Sequence, residues 1–320
     1  MANVAQLMRQ GMLDANLVLT DSTTSRLFSQ SELLTWAEQG EAMLEQEIRN
    51  AEQDYGLTIR ASTDSAFRWD NITFTPSTLQ LISTTTQYTL PPDFIELRWI
   101  RPTTSGQEDI GFKHLDVSDS VFQMTLTETN PQREVIYWDI IGDRTLFIPN
   151  APTAALDIQI GYIAKSRRMR IYSTGTVNLT VDSSAVVGTS SLWVDNDLYT
   201  PIELIPNAPG ADAGAVVVVG QTSTDFFVDP AAVYYPVSTI DTDTTLTLQA
   251  TWLLATDTSA PYMLASVPRV PEQYRHLITR YITYRILKKA RSYNEAEACW
   301  KNLQRELATM RQDVEERQSA

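Results

Sequence analysis

From Ile171 to Pro268 the chain carries neither Lys nor Arg, yet this window holds ten of its 39 acidic residues. The net charge of the whole chain is −14, so most of the negative surplus sits in under a third of its length. Two surfaces this different predict two domains rather than one continuous body. Texture changes at the same place. Thr, Val, Ala and Ser dominate, with Pro201, Pro206, Pro209, Pro230 and Pro236 as punctuation. Thr176–Val181 and Thr244–Leu248 alternate as strands with one buried face do, and the apolar run Val216–Val219 suits a core strand. The expected fold class is therefore α+β: a helical bundle with antiparallel β-strands, interrupted by an inserted all-β, sandwich- or barrel-like domain. The insert is expected over 171–267, within a discontinuous parent domain built from 1–170 and 268–320.

The parent opens with a short helix over Val4–Leu13. Ser29 and Glu32 then have the spacing of a capping box, and Leu33, Ala37, Gly40, Leu44 and Ile48 recur at helical spacing to about Glu52. Gly40 on the apolar face lets another helix come close, and Gly56 is a stop. Strands are expected over Phe67–Phe74, Gln87–Leu90, Phe94–Ile100 and Leu156–Ile163, with a hairpin from Val135 to Ile141 and back from Thr145 to Ile148 through Gly142-Asp143. A short helix is expected over Asp116–Leu126. After Pro271 the chain turns helical. Tyr274, Leu277, Ile278, Tyr281, Ile282 and Ile286 form one stripe, and Ser292 caps a second helix. In that helix Ala296, Trp300, Leu303, Leu307, Met310 and Val314 step by four and three, the seam of a close antiparallel helix pair.

Catalytic chemistry finds few candidates. His114 and His276 are the only histidines, and neither has a second His or a Cys at metal-ligand spacing. There is no phosphate-cradling G-x-x-x-x-G-K-[ST] run and no G-x-S-x-G turn. Cys299, the single cysteine, excludes an internal disulfide and reads as a small residue beside the helical seam. Asp195 with Asp197, and Asp241 with Asp243, have the oxygen chemistry for calcium but lack the full loop pattern; turn chemistry is the stronger reading. Sequons at Asn71 and Asn178 matter only for a secreted chain. No stretch is long and apolar enough for a membrane span, and Met1-Ala2-Asn3 opens no secretory signal. No enzyme activity, cofactor or metal is expected. The acidic balance argues against avid nucleic-acid binding.

One basic concentration stands against that background. Arg275, Arg280, Arg285, Lys288 and Lys289, with Arg269 and Arg291, crowd the first C-terminal helix, and Arg167, Arg168 and Arg170 mark the other edge of the insert. Interleaved Tyr274, Tyr281 and Tyr284 admit a nucleic-acid face; a salt-bridged subunit interface against an acidic neighbour is the stronger reading. Farther on, Arg311, Glu315, Glu316 and Arg317 make the C-terminal end highly charged.

The order of elements resembles the adaptor, or head-completion, proteins that sit beneath the portal of tailed bacteriophages. Four segments carry the resemblance: Ser31–Gly40, the Tyr88-Thr89-Leu90-Pro91-Pro92-Asp93-Phe94 run with its Y-x-L-P-x-D-F pattern, the hairpin Trp138–Pro149, and Pro271–Ile278. Together they span most of 29–165 and 268–318. The insert, through Val186–Thr189, Tyr235–Ile240, Thr245–Leu248 and Tyr262–Leu264, is similar to a small β-domain of phage structural proteins. The resemblance implies a virion protein made in the bacterial host cytoplasm and placed at the head-to-tail interface. Its partners would be copies of itself in a ring, usually twelve-fold, the portal protein, and tail nozzle or fibre proteins, with genomic DNA passing through the channel without specific binding. Arg275, Arg280, Arg285, Lys288, Lys289, Arg311 and Arg317 are then the expected portal or subunit interface. A second reading makes the β-domain a carbohydrate- or receptor-binding module through Trp193, Tyr199, Tyr234, Tyr235 and Trp252.

Overall fold

The computed structural model describes residues 3–15, 28–69, 72–116, 135–149, 154–166, 168–194, 198, 202–206, 216–217, 226–227, 235–254, 256–260 and 262–318. The expected helix from Asp116, and Arg167, Asp195, Asp197, Tyr199, Val218, Val219 and Tyr234, lie wholly or almost wholly outside these residues. The chain is α+β and divides into two compact units, Met1–Gln53 with Arg168–Ala320, and Asp54–Arg167.

Four described helices belong to the first unit: α1 (Val4–Asp14), α2 (Gln30–Ala51), α3 (Arg275–Lys289) and α4 (Tyr293–Gln318). α1 starts on a full capping box, in which the Asn3 side chain accepts from Gln6 N–H while Gln6 Oε1 accepts from Asn3 N–H. At α2 only half of the expected box forms, Ser29 Oγ accepting from Glu32 N–H, because the Glu32 carboxylate is engaged by Lys289. α3 ends on Arg291 in the left-handed region (φ 64°), where Ser292 N–H reaches back to the Leu287 carbonyl at 3.0 Å. That reversal folds α4 onto α3 as the short connection predicts. The seam is real: Ala296, Leu303, Met310 and Val314 are buried, and Trp300 and Leu307 half-buried. α3 buries Leu277, Ile278, Ile282 and Ile286, and α1 and α2 both lie against it. The close approach expected at Gly40 is seen: a Cβ there would stand 3.2 Å from the Tyr281 ring. The early and late helices thus form one bundle.

In the same unit, the 171–267 segment forms a sheet in the order β10-β19-β13-β16-β17-β12-β11-β18. These strands are β10 (Ile171–Tyr172), β11 (Thr176–Leu179), β12 (Ala185–Thr189), β13 (Ile202–Pro206), β16 (Tyr235–Ile240), β17 (Thr245–Leu248), β18 (Asp257–Ala260) and β19 (Tyr262–Ser266). A separate pair, β14 (Val216–Val217) and β15 (Phe226–Phe227), falls between them in sequence. All the neighbouring pairs run antiparallel. Val177, Leu179, Val186, Leu246, Leu248, Trp193, Trp252, Tyr262 and Leu264 share a core of its own. Its buried hydroxyl is satisfied in relay, Trp193 Nε1 donating to Tyr262 Oη at 2.8 Å and that hydroxyl donating to the Thr174 carbonyl at 2.6 Å.

The second unit holds the sheet β1-β9-β5 (Leu57–Ala61, Ile158–Ala164, Phe94–Pro102), the hairpin β2-β3 (Phe67–Trp69, Ile72–Phe74) and the sheet β4-β8-β7-β6 (Gln87–Thr89, Thr145–Phe147, Val135–Ile141, Gly111–His114). The stretch read as one strand over Phe67–Phe74 is a hairpin, with Trp69 opposite Ile72. The expected β7-β8 hairpin turns at Gly142, φ 64°. One pair departs from the antiparallel expectation: β6 runs parallel to β7. The Y-x-L-P-x-D-F run is built into this core. Tyr88 Oη donates to the Thr85 carbonyl at 2.7 Å and accepts Ile82 N–H at 3.0 Å, while Asp93 accepts the Tyr162 hydroxyl at 2.9 Å. Leu90 and Phe94 are buried beside them.

Candidate docking face on the helical hairpin

α3 has two faces because its apolar residues repeat at helical spacing. The inner one packs on α1 and α2, and Thr283 sits there by donating to the Thr279 carbonyl at 2.9 Å and contacting the Gly11 carbonyl at 3.2 Å. The outer one presents Tyr281, Tyr284, Arg285 and Lys288, positions three and four apart. These side chains form a ladder that crosses three helices. Trp300 of α4 lies 4.9 Å from the Tyr284 ring, and Tyr284 lies 6.2 Å from Tyr281. The Arg285 guanidinium stands 5.8 Å over Tyr281 and 5.5 Å over Trp36 of α2. Phe28 closes the row, edge-on to Trp36 at 5.9 Å. Each cation–ring contact at this exposure contributes about 0.5–1 kcal/mol, so the ladder mainly fixes orientation.

The cations are not equivalent. Arg275 is buried, and its Nε donates to the Val270 carbonyl at 3.0 Å. Arg280 is paired with Glu306 at 2.9 Å, Lys289 with Glu32 at 2.6 Å, and Arg311 with Glu47. Arg285 and Lys288 are held instead by neutral acceptors: Arg285 donates to Gln39 Oε1 at 2.8 Å and Tyr281 Oη at 3.0 Å, Lys288 to Tyr284 Oη at 3.2 Å. Among the described residues no carboxylate pairs with either, while their geometry is set. Arg317 lies in the last turn of α4, exposed. The structure therefore gathers Arg285 and Lys288 into one face and assigns Arg275 to the interior. Trp36 and Gln39, which complete the face, were not singled out; their place one turn before and beside Gly40 was the signal.

A second set, also missed, lies on α2. Glu41 is buried, and its Oε1 accepts Arg269 N–H at 2.6 Å and a second bond from Val270 N–H. Glu38 accepts Met169 N–H. These carboxyls grip the two segments that enter and leave the β-sheet body, one following β9 and one leading to α3, which are themselves cross-linked where Arg170 N–H donates to Ser266 Oγ at 2.8 Å and Ser266 N–H to the Arg170 carbonyl at 2.9 Å. Burial, and then the neighbouring Glu45, push the Glu41 carboxyl up to about 8. Burial also raises Glu38, opposed by Arg168 and Arg170. Glu41, three residues before Leu44 and seven before Ile48, falls on the apolar stripe of α2, and that register was the available clue.

Among the described residues the remaining candidates are spread over both units, each in contacts of its own. An open groove of about 570 Å³ between α1, α3 and α4 is lined by Asp14, His276, Arg280, Cys299 and Asn302 among others. In it the Cys299 thiol faces the Arg280 carbonyl at 3.5 Å and is pushed up by burial, the opposite of an activated nucleophile. His276 Nδ1 meets the Gln273 carbonyl at 2.9 Å. In the second unit exposed His114 lies 3.2 Å from Asp139. Among the described residues no three His, Cys, Asp or Glu side chains converge as a metal site, and no helix is long and apolar enough to cross a membrane. Asp241 accepts from Thr247 of β17, and the Asp243 carbonyl from Ser191. Trp193, Tyr235 and Trp252, named as stacking faces for a sugar, are core residues. No protein-family model matches the chain, and no curated protein matches it.

Proposed function

We propose that the chain is a structural subunit of a tailed-phage virion, an adaptor that forms a ring beneath the portal, continues the DNA channel and attaches tail components. The observation that carries this reading is the bundle: α2 and the α3–α4 hairpin, some of the most distant parts of the sequence, close on one another in the order of elements that the resemblance requires. Two features support it. The motif run at Tyr88–Phe94 is spent on packing rather than chemistry, as a scaffold segment would be. The strong net negative charge suits a wall that DNA slides past.

Mass measurement of the purified full-length chain, alone and mixed with a portal ring, tests the proposal. A stable complex with several copies per portal is the expected result. Lasting monomers that leave the portal bare would overturn it.

A further inference from the structure

The β-sheet body ends in an apolar tip. Its register runs outward from the neck: Arg170 meets Ser266, Tyr172 pairs with Leu264, Val177 with Ala260, and Leu179 with Asp257. Beyond these, Val181 N–H donates to Thr256 Oγ1 at 3.2 Å, and Asp182 N–H to the Trp252 carbonyl at 2.8 Å. At this far end Val181, Leu253 and Leu254 are 44%, 72% and 52% exposed. The loop that presents the two leucines is pinned: the Trp252 ring is buried beneath it, and Trp252 N–H donates to the Ser183 carbonyl at 2.8 Å. Fixed, clustered, exposed aliphatic side chains mark a contact surface. Asp182 and Asp257 edge the tip, within a segment that has no Lys or Arg at all.

The same chain carries a surface of the opposite character. On α3 and α4 the half-buried rings of Tyr281, Tyr284 and Trp300 lie beside Arg285 and Lys288, both held by neutral acceptors. Exposed Arg291 follows at the end of α3. We propose that the tip of one copy docks on this aromatic and cationic face of a second copy. Leucines meet rings, and Asp182 and Asp257 meet cations that no carboxylate among the described residues neutralises. Two different patches form the joint, so each copy offers one to either neighbour, and the contact propagates head to tail until it closes. The inference deepens the ring reading above and takes from it only that copies of the chain meet. A joint of this size is weak alone and gains from closure.

Sedimentation velocity of the full-length chain over micromolar to several-hundred-micromolar concentrations tests it. Association that grows with concentration, and weakens at least about tenfold as salt screens the charges, is expected. Leu253→Ser with Leu254→Ser removes the tip; Lys288→Glu with Arg291→Glu removes the face. All four positions are exposed, so both variants should melt as the wild type does. Each alone should stay monomeric, and an equal mixture should give a one-to-one dimer, since one intact tip then meets one intact face. A wild type that is monomeric throughout, variants that assemble unchanged, or a mixture that stays apart would overturn the contact. So would a face variant that loses binding to a labelled single-stranded DNA oligonucleotide while still self-associating. Portal binding by a chain that never self-associates removes this inference alone; self-association through tip and face with a bare portal removes only the adaptor reading.

Discussion

Glu41 shows what one residue contributes to this molecule. Its carboxyl is buried on α2, facing Glu45 from its own helix, Arg269 from the neck, and the neighbourhood of Arg275 on α3, whose Nε is bonded to the Val270 carbonyl. In the folded chain it holds its proton up to about 8, against 4.5 unfolded. Below the lower value both states are protonated and nothing is lost. As pH rises between the two values the unfolded chain releases the proton and the folded chain does not, so stability falls, and the loss is complete above the folded value. Glu41→Gln keeps an oxygen for Arg269 N–H and cannot ionise. Its stability relative to wild type should rise from slightly acidic to slightly alkaline pH by on the order of 3 kcal/mol, read by urea denaturation at each pH. Parallel curves for the two proteins would contradict the assignment. A second residue is Gly161 on β9, covered by the Trp99 indole, where a Cβ would collide with the ring. Gly161→Ala should cost about 1–3 kcal/mol and red-shift Trp99 emission as the indole is displaced toward water.

At the scale of elements, what the sequence revealed and what it hid divide by range. The helices were legible because period and caps are local: the α4 seam, the Gly40 approach and the Gly142 turn are all read from residues a few positions apart. The full capping box at Asn3 was harder to read because Asn and Gln fill the places that Ser and Glu more often take. The parallel pairing of β6 with β7 was beyond reach, since Gly111–His114 is short and its partner is chosen by tertiary packing rather than by alternation. Of the docking face, the cations were visible in the sequence but not their partners. Only coordinates separate Lys289, neutralised by Glu32, from Lys288, bonded to a phenol. The seam gives the test at this scale. Leu303 is fully buried in α4, so Leu303→Asp buries a carboxylate with no designed partner and should cost on the order of several kcal/mol, enough to abolish a cooperative melt of the helical bundle. Near-wild-type melting would mean the helix pair is not what holds the bundle together.

For the whole molecule, the decisive feature is that a 98-residue Lys- and Arg-free stretch, Ile171 to Pro268, leaves and returns through adjacent backbone. Arg170 and Ser266 exchange hydrogen bonds, and Tyr172 pairs with Leu264, so the chain ends created by removing the sheet already lie side by side. The sheet body keeps its own apolar core, and removing residues 173–263 takes that core away except for Leu264 and, at its edge, Tyr172. What the bundle would lose is the contact of β15, and of the start of β19, with α1, but α1 is seated chiefly on α3, where Gly11 lies against Ile282. Replacing residues 173–263 by a short Gly-Ser linker should therefore give a soluble chain whose helices still melt cooperatively, because loop closure across so short a gap costs little. On the adaptor reading that chain still binds the portal; on the contact proposed between tip and face it can no longer extend from copy to copy, since every tip is gone. Native mass spectrometry with and without portal reads both at once. Aggregation of the deleted chain would show that the sheet and the helices share more of their stability than the neck implies, and would move the domain boundary away from the charge boundary that first suggested it.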